Sequence, residues 1–163
     1  MDSITAGQVL AGLIHAPVDL ARATVARLEP EDFGTWIHRT IFSKGLLKCT
    51  LAEHPEPGSV IIQINRHLLA GGHYTDTDNG LRRAVEDLAG MVGHPEQLHL
   101  FVNDLIEQRY RRAVGDFALA AAEHATNSPI ADVDAALARI EELRRLRQRI
   151  HNNTVHIVRK GAA

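Results

Sequence analysis

Ten histidines, one acidic loop and a run of five arginines are the residues of this 163-residue sequence whose types could do chemistry. Histidine binds metal from a helix when a second ligand stands at helical spacing, as in His-Glu-x-x-His. No pair here forms that motif. His94 and His99 are five apart across a helix start, and His151 and His156 are five apart near the C-terminus. Structural or surface roles are expected for these and for the scattered His15, His38, His54, His67, His73 and His124. The segment Thr75-Asp76-Thr77-Asp78-Asn79-Gly80, with Glu86 beyond it, has the spacing of half a calcium-binding loop. Threonines stand where acids should supply ligand charge, so it reads as a solvated loop leading into a helix. No Gly-rich loop ends in Gly-Lys-Ser/Thr, and no Gly-x-Ser-x-Gly elbow occurs. Glu29, Glu31 and Asp32 gather at one helix start, where the dipole favours acids. The expectation is a non-enzymatic chain with no cofactor and no metal.

The arginine run is Arg139, Arg144, Arg145, Arg147 and Arg149, with Glu141 and Glu142 between. On a helix these spread around most of the circumference. They read as a solvated face with local ion pairs, and in second place as a contact for nucleic acid or an acidic partner. No aromatic residue interleaves with them to stack bases. A formal net charge of −2 gives no global pull toward nucleic acid.

The elements that must position these residues are helical. Hydrophobic residues make up 45% of the chain and aromatics 4%, which suits packed helices rich in Ala, Leu, Ile and Val. Thr5-Ala6-Gly7-Gln8 has the form of a capping box before Val9, Leu10, Leu13 and Ile14. Pro17 opens a helix with Leu20, Ala21, Thr24, Val25 and Leu28 at helical spacing. Pro30-Glu31-Asp32 starts another, whose broad apolar face carries Phe33, Trp36, Ile37, Ile41, Phe42 and Leu46. Ser59 is placed to cap a helix from Val60 to Ala70, stopped by Gly71-Gly72. The run Val60 to Ile64 could be a strand. A helix is preferred because Ile61, Ile64 and Leu68 keep the 3.6 period and nothing offers to pair with a strand. Leu81, Val85, Leu88 and Val92 make a further amphipathic helix. Cys49, the single cysteine, lies in an apolar run and is expected as a small core residue; no internal disulfide can form. No apolar stretch reaches membrane-spanning length, and Met1-Asp2-Ser3 lacks a signal-peptide start, so a cytoplasmic setting is expected.

From Glu96 to Ile150 the pattern is of two long helices folded into a hairpin. Phe101, Leu105, Tyr110, Val114 and Phe117 mark the first arm. Thr126-Asn127 breaks it, Ser128-Pro129 restarts it, and Leu137 and Ile140 mark the second. A helix of roughly 27 residues is about 40 Å long. That outreaches a small preceding domain, and an uncovered apolar stripe calls for a partner. The expected architecture is all-α: a compact helical bundle over residues 1–93, a helical hairpin over 94–151, and a flexible tail over 152–163. Within that tail Val155 to Val158 suggests a short extended piece. The seven residues Phe101, Leu105, Tyr110, Val114, Phe117, Leu137 and Ile140 are the expected self-association surface.

Pro30-Glu31-Asp32-Phe33, then His38-Arg39, then Ile41-Phe42 resemble the N-terminal collar domain of DnaB-type replicative DNA helicases. That family's pattern there looks like P-E-D-F, a gap, H-R, one residue, I-F. Val9 to Ile14 is similar to its first helix, and Phe101, Leu105, Glu107 and Arg112 fall where its first hairpin helix tends to have Tyr, Val, Glu and Arg. The resemblance covers about residues 5 to 150. It implies a bundle followed by a hairpin that pairs between subunits, as a dimer or a trimer of dimers. It also implies contact with primase, a helicase loader or the helicase itself. Pro30, Asp32, Phe33, His38, Arg39, Ile41 and Phe42 would be structural. The family's ATPase domain and P-loop are not in this sequence, which fits either a fragment or a freestanding collar domain. The expected function is a non-catalytic oligomerisation and protein-interaction module linked to DNA replication. The alternative is a freestanding DNA-binding or regulatory protein using Arg139 to Arg149.

Overall fold

The computed structural model describes residues 2–50, 56–74, 79–127 and 129–160, and all regular structure among them is helical. Seven α-helices follow one another: α1 (Asp2–His15), α2 (Val18–Val25), α3 (Trp36–Thr40), α4 (Pro57–Ala70), α5 (Gly80–Gly90), α6 (Leu98–Asn127) and α7 (Ile130–Lys160). Two compact units divide the chain, Met1–Leu105 and Ile106–Ala163.

The first unit is organised around α1. Val9, Leu10, Leu13 and Ile14 are fully buried on it, as the apolar spacing demanded. The helix starts at Asp2, earlier than the expected cap, so Thr5 and Gln8 stand inside it. Pro30–Asp32 is a 3₁₀ turn held by a reciprocal cap: the Glu29 N–H donates to Asp32 Oδ2 at 2.8 Å. That bond lets the Asp32 carboxylate be wholly buried, since a buried charge needs hydrogen-bond donors. Phe33 follows and stacks on Phe42, ring centroids 4.7 Å apart and tilted by 32°. Such a pair contributes about 0.5–1.5 kcal/mol beyond the area it buries.

The chain then loosens and tightens within one continuous helical stretch, Trp36–Lys48. Thr35 caps α3, its hydroxyl accepting from the His38 N–H. The helix widens to a π turn at Ile41–Gly45 and closes as 3₁₀ at Leu46–Lys48. Gly45 is where α4 comes close: a Cβ there would lie 2.9 Å from Ile64 Cγ2. α4 is a helix, as its period required, but Pro57 rather than Val60 begins it, with Glu56 at the cap. Proline suits that first position because its missing N–H would have no partner there. Gly72 ends the helix at φ 65°, and the His73 N–H returns to the Leu68 carbonyl at 3.0 Å.

Two boundaries differ from the expected ones. The first unit extends into α6, because Leu98, Val102 and Leu105 are fully buried and a Cβ on Gly12 of α1 would touch Leu98. Arg27 fastens the same turns by donating to Asn103 Oδ1 at 2.8 Å. The expected tail is also helical: α7 runs on through Val155 to Val158 as far as Lys160, so the extended piece does not form. β-branched Val and Ile lower helix propensity only slightly, and a helix already nucleated propagates through them. The expected fraying of Gly161 to Ala163, the cap at Ser128, His54, and Thr75 to Asp78 of the calcium-like loop lie outside the described residues.

Candidate association surface

α6 is 30 residues long and α7 is 31, about 45 Å each. Within Ile106–Ala163 only Ile106 and Leu146 are fully buried among the described side chains. Every other buried apolar residue belongs to the first unit. The two helices touch through Arg109, whose guanidinium donates to Glu142 Oε1 at 2.9 Å. Glu142 also receives Arg145 Nε at 2.8 Å, so one carboxylate ties two arginines on two helices. Nearby, Tyr110, Val114 and Ile150 line an open cavity of about 450 Å³ rimmed by Glu107, Arg111 and Arg147.

The expected self-association residues part into three groups. Leu105 is fully buried in the first unit and cannot meet a partner; the sequence placed it there because its spacing continues the same stripe. Phe101 is half-buried in the first unit. Tyr110, Phe117 and Ile140 are half-buried in the second, and Val114 and Leu137 are exposed. Leu119 and Ile130 are 64% and 79% exposed, the most open large apolar side chains among the described residues of the second unit. Ile130 stands at the head of the second arm's stripe, seven residues before Leu137, and is uncovered all the same. Leu119 falls off the stripe of the first arm, and that departure is its signal in the sequence: an apolar residue off the intramolecular period has only solvent or another molecule to meet.

The arginines are largely engaged. Arg144 pairs with Glu141 and Arg145 with Glu142 on the same helix, and Arg149 is also partnered. Arg139 and Arg147 are exposed, with no carboxylate beside them among the described residues. Ion pairs of this kind, three residues apart, are the solvated-face pattern expected of them.

In the first unit the motif residues of 30 to 42 are mostly interior. Phe33, Ile41 and Phe42 are fully buried, and Arg39 is exposed. The His38 ring Nδ1 lies 2.7 Å from Thr35 Oγ1, and burial lowers the imidazole pKa from its ordinary value. A second cavity, about 370 Å³, is lined by Leu13, Ala21, Val25, Leu46 and Cys49, with Arg22 at its edge. Burial pushes the Cys49 thiol up to about 11, and its S–H points to the Gly45 carbonyl at 3.5 Å. Cys49 is half-buried, rather than the core residue its apolar run implied. Among the described residues no three His, Cys, Asp or Glu side chains group as metal ligands do, and no helix is long and apolar enough to cross a membrane. Comparisons of the chain with family models, with curated proteins and with solved structures found no match.

Proposed function

We propose that this chain is a non-catalytic self-association module: a compact helical bundle carrying a hairpin of α6 and α7, through which copies pair. One observation carries the reading. Among its described side chains the second unit buries two apolar ones fully and leaves Val114, Leu119, Ile130 and Leu137 open to water. Two helices of this length gain their stability from a packed face, and a face this thinly covered gains more from a second molecule. The link to DNA replication, with primase, a helicase loader or a helicase as partner, rests on the likeness of residues 30–42 to the helicase collar motif. The interior placement of Phe33, Ile41 and Phe42 is consistent with it. Direct DNA binding through Arg139 to Arg149 is weakened by the glutamates already paired with Arg144 and Arg145.

Light scattering coupled to size-exclusion chromatography over a range of concentrations tests the reading. A mass that rises with concentration to a dimer or hexamer is the expected result. A monomer at every concentration overturns it.

A further inference from the structure

The second unit is electrically polar along its length. Residues 113–138, around the α6–α7 connection, hold Asp116, Glu123, Asp132 and Asp134 and no lysine or arginine. All four acids are exposed. Residues 106–112 and 139–151, at the other end, hold eight arginines and three glutamates, a formal +5 against −4. The two regions adjoin: Asp116 follows Arg112 by four residues and Asp134 precedes Arg139 by five, about 6–8 Å along the helix. The sign of the charge therefore changes within about one Debye length, and the unit carries opposite net charge at its two ends.

The apolar residues are sorted in the same way. At the acidic end Asp116 and Glu123 flank Leu119 at helical spacing, and Asp134 falls between Ile130 and Leu137. These three apolar side chains project into solvent. At the basic end Tyr110 and Ile150, with Val114 at the border, line a recess together with Arg111, Arg147 and Glu107, the last paired with Arg111 at 2.6 Å. One end offers apolar knobs flanked by acids; the other offers a recess lined by two arginines and one glutamate, in a region of net positive charge.

From this complementarity we infer that a second copy of the chain docks antiparallel, its acidic connection end lying over the basic recess of the first. The pairing is isologous, so each contact is made twice. A parallel pair would set +5 beside +5 and −4 beside −4, and like charges face to face cost association heavily. This orientation rests on the proposed self-association, and its test separates the two.

Three variants decide it: Arg111→Glu with Arg147→Glu, Asp116→Lys with Glu123→Lys, and all four together. Every altered residue is exposed, and circular dichroism checks that helix content is kept. Dissociation constants are measured by analytical ultracentrifugation at low and at physiological salt. In the antiparallel pair each two-residue variant weakens association by at least about tenfold, and the four-residue variant recovers it because both ends are inverted together. The natural chain also associates more weakly as salt rises. If the natural chain stays monomeric, the self-association reading itself fails. If it associates but the two-residue variants match it, the copies pair and the antiparallel orientation is wrong. Loss in both two-residue variants without recovery in the four-residue one also overturns the charge-matched orientation.

Discussion

The first 105 residues and the last 58 spend nearly the same amino acids in opposite ways. Both are helical, and both put Leu, Ile, Val and Ala at spacings of three and four. In the first unit five helices surround α1, and its side chains meet neighbours on several sides; Val9, Leu10, Phe33, Phe42, Ile64 and Leu68 have no contact with water worth measuring. In the second, the described residues lie on two helices, and most of the stripe they carry is half-covered or open. A helix pair can shield one face, whereas a bundle can shield the whole circumference of its central helix. The same pattern is therefore interior in one region and surface in the other.

The contrast is open to measurement, most forcefully at the core of the first unit. Phe42→Ala removes a fully buried ring and its stacking on Phe33, and it should cost about 3–5 kcal/mol in urea unfolding. A midpoint that does not move would show that the first unit has no such core. Leu146→Ala strikes the one fully buried side chain among the described residues of α7 and should cost about 2–3 kcal/mol, with the loss confined to the second unit's transition. Hydrogen exchange on α7, compared with that on α1, reads where the protection is lost. Gly93→Ala comes next. A Cβ there would collide with the Ala11 carbonyl and the His15 ring, the latter held by an Nδ1 contact of 2.8 Å to that same carbonyl. Backbone has to move, which costs about 1–3 kcal/mol. Gly115→Ala, in open space on α6, should instead be neutral or stabilising, since alanine favours the helix.

Cys49 probes the edge of the first unit's core. Its thiol is held protonated up to about 11 against an ordinary 9.0. A raised pKa makes the contribution of this group full below about 9 and lost as the pH rises through about 11. Alkylation at pH 8 should be about tenfold or more slower in the folded chain than in urea, because the thiolate is the reactive form. Equal rates would place the sulfur in free solvent.

Much of the first unit could be read from the sequence. Phe33 and Phe42 announced an aromatic centre and Gly71-Gly72 announced a stop, and each is where its chemistry put it. Pro30–Asp32, expected to open a helix, instead forms a separate 3₁₀ turn before a helix that starts at Trp36. Periodicity identifies a face but carries no range information, so it could not say that Leu105 turns inward to the first unit while Val114, nine residues on, faces water. The cap at Thr5 misled for a related reason: capping residues are also tolerated inside a helix when the turn before them can form. Leu119 lies off the stripe, so periodicity gave it no weight, whereas Ile130 lies on the second arm's stripe and periodicity alone could not tell that it is open to water.

Leu119→Ala yields the smallest change in folding and the sharpest test of what the second unit is for. The side chain is 64% exposed, so its truncation should move the unfolding midpoint by less than about 0.5 kcal/mol. If α6 and α7 are a surface for a second copy, the same substitution weakens association, because the methyl groups it deletes are buried only in the pair. Sedimentation and urea unfolding on the one variant then disagree, and the disagreement is the signature. Agreement at zero, with neither fold nor association altered, would mean that Leu119 stays in water in every state. Leu137→Ala on α7, 50% exposed, would have to behave alike, since both helices contribute to the same uncovered face.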